Sequence, residues 1–175
     1  MKIGLRLISA VSLNGAIGKN NDLLWHIPED LKHFKEMTKD NIVVVGLNTW
    51  YSLPDIAKRN RQYVIINGGN YLAGIDNKVK QYPILEDFIK DYMIYQDIPE
   101  FKDKYAYIAG GGYLYKSAIE YCNEAYITWV NEIYEDADVY FPIDKLNKIY
   151  NYVTESDWQL SKTNYLYKIC KYTQI

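Results

Sequence analysis

Three unbroken apolar runs do most to limit what this 175-residue chain can become. They are Ile42-Val43-Val44-Val45, closed by Gly46; Tyr63-Val64-Ile65-Ile66, closed by Asn67-Gly68-Gly69-Asn70; and Tyr105–Ala109, which enters Gly110-Gly111-Gly112. A strand with one wet face alternates apolar and polar residues, so runs without alternation belong to strands covered on both faces. Helical signals lie between and around them. Pro28–Thr38 opens on a proline, Asn48 and Thr49 can cap a short helix over Trp50–Leu53, Leu85–Tyr95 is amphipathic, and a helix follows Gly112 to about Glu120. Further strands are predicted over Ile3–Val11, Val79–Tyr82 and Ala125–Asn131, and Tyr152–Trp158 and Tyr165–Thr173 alternate as an antiparallel hairpin would. The expected fold is α/β: a single domain over residues 1–175 with a central mixed, mainly parallel β-sheet flanked by helices and a C-terminal antiparallel edge. The long connection Ser12–His26, with Asn14-Gly15, Gly18 and Asn20-Asn21-Asp22, is predicted to be a lid or binding loop anchored by Trp25.

Composition excludes several functions. A formal charge of −2 and a pI near 5.7 give no electrostatic case for nucleic acid or an anionic membrane. No apolar stretch approaches the roughly 20 residues of a membrane span, and the start lacks a signal-peptide pattern. Cys122 and Cys170 make no disulfide framework and are expected to be reduced thiols of a cytoplasmic protein. His26 and His33 have no cysteine nearby, so no metal site is expected and both are read as ordinary helix-associated histidines. The 19 tyrosines, with arginine confined to positions 6, 59 and 61, suggest an AT-rich bacterial or viral genome.

One residue points to chemistry. On the helix opened by Pro28, the apolar stripe is Ile27, Leu31 and Phe34, and Asp30 falls on that stripe. Glu29 and Glu36 are expected on the far side. An acid facing a core is costly unless hydrogen-bonded, so Asp30 is predicted to hold a ligand. Gly110-Gly111-Gly112 reads either as a phosphate-approach loop or as a plain glycine turn. Arg61 reads either as a bidentate grip on a carboxylate or as a solvated surface residue.

Taken together, Ala10–Gly18, Asn21–Lys35, Gly46–Leu53, Ile108–Tyr115 and Ala137–Pro142 resemble, in order and spacing, the segments of dihydrofolate reductases. The resemblance implies reduction of 7,8-dihydrofolate by NADPH, in support of one-carbon metabolism and thymidylate synthesis. It implies sensitivity to antifolates such as methotrexate or trimethoprim, and a monomer. Asp30, Trp25, Thr128 and Tyr115 would be catalytic. Asp30 would bond the pterin's 2-amino group and N3 with Thr128 as its neighbour; Ile8, Leu31, Phe34, Ser52 and Ala109 would line the substrate pocket, and Arg61 would grip the glutamate tail. Ala10, Ile17, Gly18, Leu23, Asn48, Thr49, Ile66, Asn67, Gly111, Gly112, Tyr113, Leu114 and Tyr115 would contact the cofactor, and Gly110–Gly111 would be a cis peptide.

The chain departs from that pattern at four places. Leu47 stands where the family commonly has a base for the cofactor's 2′-phosphate, and Gly68 at the other phosphate position. Lys78 or Lys80 would have to substitute, and a weakened preference for NADPH over NADH is expected. Leu24 replaces a proline before Trp25. Residues 54–60 lack the proline-rich approach to Arg61, leaving Ile56 as the candidate contact to the aminobenzoyl ring. Ala109 replaces a bulkier aliphatic residue. Two other readings are a related nicotinamide-dependent pyrimidine reductase, against which Asp30 with Arg61 argues, and a virion or scaffold protein built on this fold.

Overall fold

In the computed structural model, which describes residues 4–175, the chain alternates twelve strands with five α-helices. Ile3, expected to open the first strand, lies outside the described residues. The strands are β1 (Leu5–Ser12), β2 (Ala16–Lys19), β3 (Asp22–Leu23), β4 (Ile42–Gly46), β5 (Gln62–Ile66), β6 (Lys80–Tyr82), β7 (Ala106–Ile108), β8 (Glu124–Val130), β9 (Val139–Tyr140), β10 (Tyr150–Glu155), β11 (Gln159–Leu160) and β12 (Leu166–Gln174). The helices are α1 (Pro28–Thr38), α2 (Leu47–Ser52), α3 (Leu85–Ile94), α4 (Gly112–Ala118) and α5 (Ile143–Ile149).

Nine strands form one sheet in the order β10-β12-β8-β1-β7-β4-β5-β6, with β11 beside β12. From β8 to β6 every pairing is parallel; β12 runs antiparallel to β8, β10 and β11. The apolar runs are buried on both faces, as their lack of alternation requires. Ile42, Val44 and Val64 share one core with Phe88 of α3, Leu114 of α4 and Leu146 of α5. Val43, Val45, Tyr63 and Ile65 share another with Trp50 of α2, and Phe34 of α1 leans on it.

The high tyrosine content is accommodated because buried hydroxyls find main-chain partners. Tyr92 OH donates to Lys104 O at 2.7 Å and accepts Gly4 N–H at 3.0 Å, and Tyr63 OH donates to Ala57 O at 2.8 Å. Arg6 is also structural. It stacks on the Tyr105 ring at 3.6 Å, bonds Tyr107 OH at 2.8 Å and pairs with Glu124 at 2.8 Å.

The structure corrects several local expectations. Ser12–His26 is not a plain loop: β2 and β3 form a hairpin within it, and β9 joins them as a three-stranded sheet ordered β3-β2-β9. The hairpin turns on Asn20 and Asn21 at φ 52° and 62°, a left-handed pair that asparagine tolerates. Helix α2 starts at Leu47 behind Gly46, so Asn48 and Thr49 lie inside it and cap nothing. A 3₁₀ turn over Asp55–Lys58 and helix α5 have no counterpart in the sequence reading; each is too short to show a hydrophobic period.

Gly112, first residue of α4, lies under β9. A Cβ there would come within 2.7 Å of Val139 Cγ1 and 3.2 Å of Tyr140 O. Valine is stiff at χ1, so relief has to come from the backbone of β9. Gly112→Ala is expected to destabilise the protein by about 1–3 kcal/mol, the usual range for overpacking, measured by urea denaturation. An unchanged midpoint would show that β9 shifts freely.

Candidate active site

The site begins with the two-residue period of β1. Leu5, Leu7 and Val11 enter the main core, so Arg6, Ile8 and Ala10 face the other side. The register pairs Ile8 with Tyr126 and Ala10 with Thr128, placing Thr128 on that same side. Helix α1 lies across it. Thr128 Oγ1 donates to Asp30 Oδ1 at 2.6 Å, joining residues 98 apart in the chain. The other carboxyl oxygen has no hydrogen-bond partner among the described residues, and it is not sealed from solvent. Burial pushes the Asp30 carboxyl above the ordinary aspartate range, against the opposing pull of the Thr128 hydroxyl and His33.

The apolar stripe of α1 is therefore only partly taken up by the core, and Thr38 is the one fully buried residue within the helix. Ile27 packs with Trp25, Val130 and Tyr167. Leu31 is 41% exposed and Phe34 is half-buried. Glu29, expected on the solvent side, instead accepts Lys162 N–H at 2.9 Å, which holds its carboxyl below the usual range. His33 is more than an ordinary surface histidine. It is half-buried, its Nε2 has no partner among the described residues, and burial lowers its pKa against the pull of Asp30 and Glu36.

Arg61 closes the outer end. Its Nε donates to Thr38 Oγ1 at 2.7 Å, Nη1 to Arg59 O at 2.7 Å and Nη2 to Lys35 O at 3.1 Å. A guanidinium has five N–H donors, so this bracing leaves one on each terminal nitrogen, a fork of the kind that takes a carboxylate.

At the inner end, Gly110–Gly111 is a cis peptide and Gly110 has φ +109°. Gly46 N–H donates to Gly110 O at 2.9 Å, and Ala109 N–H to Val44 O at 2.9 Å. The Thr49 hydroxyl lies 3.6 Å from where a Cβ on either Gly110 or Gly111 would be. Tyr115, buried on Phe141 with ring centroids 5.1 Å apart, donates its hydroxyl to Ile8 O at 2.7 Å. That bond ties the glycine corner to the strand that carries Ile8 and Ala10. The corner sits at the C-terminal ends of β4 and β7, where doubly wound sheets bind dinucleotides. A Cβ on Gly46 would meet nothing closer than 3.9 Å, and one on Gly111 only the Thr49 hydroxyl, so main chain is open to a diphosphate.

The remaining predicted residues divide. Ile17 and Gly18 are buried in β2, and Trp25 is buried 5.7 Å from the Tyr134 ring. Leu23 (65%), Asn48 and Tyr113 (85%) are exposed. Ser52, also exposed, turns its hydroxyl back to Thr49 O at 2.9 Å. Leu114 points into the main core and Ile66 packs against it, so a cofactor contact from either rests on main chain. Asn67 is committed to its own turn: Oδ1 accepts Gly69 N–H at 2.9 Å and Nδ2 donates to Gln81 Oε1 at 3.3 Å. Of the two lysines that would have to serve a 2′-phosphate in place of a base at Leu47 or Gly68, Lys80 pairs with Glu100 at 3.6 Å. The sequence reading missed the brace of the lid. Asn14 Oδ1 accepts the Ser12 hydroxyl at 2.6 Å and Tyr134 N–H at 3.2 Å, while its Nδ2 donates to Tyr134 O at 2.8 Å. Residues 120 apart show no signal in sequence.

Comparison with known proteins gives one answer. The family model described as dihydrofolate reductase matches residues 4–174. The chain is 32% identical over 145 residues to the dihydrofolate reductase of Buchnera aphidicola, covering 82% of each. It is 30% identical over 141 residues to dihydrofolate reductase type A10 of Escherichia coli, covering 78% of this chain and 71% of that one. Among solved structures, the Enterococcus faecalis dihydrofolate reductase complexed with NADP(H) and RAB-propyl superposes with a TM-score of 0.79 at 26% identity, covering 98% and 96% of the two chains.

The Asp30 environment carries a stability consequence. Because folding raises this pKa, the ionised acid weakens the folded state once pH exceeds the folded value, and the penalty disappears below the ordinary aspartate value of 3.8. Asp30→Asn keeps an oxygen for Thr128 and removes the charge. Its Tm should exceed the parent's by a few degrees near neutral pH, the gap closing in acid; thermal melts across pH test this, and an Asn variant less stable at neutral pH would contradict it.

Proposed function

The chain belongs to the dihydrofolate reductase family, and on that premise we propose how its own residues serve the reduction of 7,8-dihydrofolate to tetrahydrofolate. When bound, NADPH supplies the hydride that goes to C6 of the pterin, so the cofactor carries the hard chemistry. The protein's task is to bind, orient, polarise and keep water out.

The observation that carries the reading is the Asp30–Thr128 pair, with one carboxyl oxygen held and the other open to the cleft. That arrangement suits the adjacent 2-amino and N3–H groups of the substrate's pterin ring, which Asp30 orients and polarises. Ile8, Leu31, Phe34 and Ala109 supply the apolar walls, and Arg61 takes the carboxylate of the tail. Gly110, Gly111 and Thr49 with Tyr115 seat the cofactor against Ile8 and Ala10. Ile17 and Trp25, buried in and beside the small sheet, exclude bulk water from the reacting carbons. The proton that N5 requires comes through a water admitted beside the lid and not directly from the carboxyl, with Asp30 orienting and polarising the ring.

The whole chain acts as one folding unit in this reading, a cytoplasmic monomer whose partners are small molecules, including antifolates such as methotrexate or trimethoprim. No helix among the described residues is long and apolar enough to cross a membrane. A pyrimidine-reducing relative is disfavoured because it has no evident use for both an acid on α1 and a braced Arg61. Loss of NADPH absorbance with dihydrofolate tests the reading directly; methotrexate binding without turnover would instead favour the scaffold alternative.

Two outcomes are expected. Asp30→Asn should lower kcat at neutral pH by roughly 10²–10⁴-fold, the span of general acid–base effects, with partial recovery in acid as the substrate protonates in solution. An undiminished kcat would remove Asp30 from its role. Leu47 and Gly68, which bring no charge to the two positions where the family commonly meets the 2′-phosphate, should also narrow cofactor selectivity. A charge-assisted hydrogen bond is worth about 1.5–3 kcal/mol, and without one the Kd values of NADPH and NADH should differ by roughly tenfold or less. Fluorescence titration of both cofactors checks this, and a much larger gap would reveal a cation reaching the phosphate.

A further inference from the structure

One turn beyond Asp30 on α1 stands His33, the second of the chain's two histidines. Its ring is half-buried, and its Nε2 is sealed from solvent with no partner among the described residues. A sealed polar atom without a partner weakens a fold, and an apolar ring in the same place would avoid that cost. Residues three apart on a helix hold their Cβ atoms about 5–6 Å from each other, close enough for a charge on one side chain to act on the other. The influence runs both ways. Burial raises the Asp30 carboxyl and lowers the His33 imidazole, and the charge of each opposes that effect on the other. The other groups around the pair do not compete for its proton. Thr128 from β8 does not titrate, and burial pushes the phenols of Tyr115 from α4 and Tyr167 from β12 upward. Glu29 accepts Lys162 N–H from the turn before β12, and the nearby His26 acts on Glu29. Glu36 also acts on His33, but it is exposed and meets Lys32 at 3.9 Å.

We propose that His33 is a positioning residue for Asp30: in mild acid it takes up a proton and cancels, at the inner end of the cleft, the carboxylate charge that holds the ligand's ring. The proposal deepens the folate reading above and rests on it. At neutral pH His33 is uncharged, because a cation is disfavoured where Nε2 is enclosed without a partner. Asp30 then acts on the ring unopposed. As pH falls, carboxyl and imidazole take up protons as a coupled pair. A first proton on His33 leaves Asp30 ionised with its field opposed. A second leaves a cationic imidazole beside a neutral acid, an arrangement that repels a cationic ring. Antifolates built on a diaminopyrimidine ring, such as methotrexate and trimethoprim, are basic and meet Asp30 as cations. They require Asp30 ionised and His33 neutral. The proton balance follows: the enzyme gives up one proton on binding such a ring when the pair holds one, and two when it holds two.

With two histidines in the chain, imidazole NMR separates His33 from the exposed His26. In the unliganded protein the His33 titration should move down by about one pH unit in Asp30→Asn, the low end of the effect of a neighbouring opposite charge. A His33 titration that Asp30→Asn does not move would overturn the proposal. The second measurement counts protons released as methotrexate binds, by calorimetry in buffers of different ionisation heat. In mild acid, over the range where thermal melts show both proteins folded, the parent should release up to about one proton more per ligand than His33→Gln, which cannot charge. Its Kd should accordingly weaken up to about tenfold more for each pH unit of acidification. His33→Asn should match His33→Gln, since both remove the charge and keep a polar side chain. Equal proton counts in the parent and both variants would overturn the proposal. Failure of methotrexate and trimethoprim alike to bind at any pH, with the His33 shift intact, would instead overturn the folate reading on which it rests.

Discussion

One hydrogen bond, from the Thr128 hydroxyl to Asp30, organises the cleft. It pins α1 to the middle of the sheet at the point where an acid would otherwise be stranded over apolar walls. Its existence depends on strand register. Ala10 stands opposite Thr128, and a slip of one residue would send Thr128 into the main core and bring Ile127 to the cleft. The parallel pairing of β1 with β8 and the position of the acid are thus one constraint. The acid keeps one oxygen free of protein partners among the described residues while burial pushes its carboxyl above the ordinary aspartate range, an arrangement that weakens the fold.

The cleft is electrically polarised along its length. Its inner end carries an acid, a glycine corner of open main chain and the Tyr115–Ile8 bond. Its outer end carries a braced arginine among three lysines and a second arginine. A molecule with N–H donors on a ring and carboxylates on a tail can enter in one orientation, because either end reversed meets like charge or a missing partner. The small sheet β3-β2-β9 bounds the inner end. Ser12, Asn14 and Tyr134 tie its base, and Gly112 sits beneath β9 without room for a side chain.

Much of this was legible in the chain itself. The buried runs Ile42–Val45 and Tyr63–Ile66 marked strands covered on both faces, and Pro28–Thr38 appears as a helix with those bounds. Asp30 stood out because its helical phase conflicts with its charge. Less was legible where contacts are distant or elements short. Nothing local announces that Glu29 meets Lys162, that Asn14 meets Tyr134, or that the loop after β1 finds a strand near residue 140. Helix α5 and the turn at Asp55–Lys58 are shorter than the windows in which a period can be seen.

By itself the sequence determined the alternation of strands and helices, the double burial of the central strands and the presence of an acid on an apolar stripe. These follow from side-chain periodicity, which is local. Only the tertiary structure decided that the stripe is only partly taken up by the core, that three of Arg61's donors are consumed in bracing while two stay free, and that scattered lysines converge on one cavity. Those depend on register and crossover, which bring together groups up to a hundred or more residues apart and set which partner each polar atom keeps.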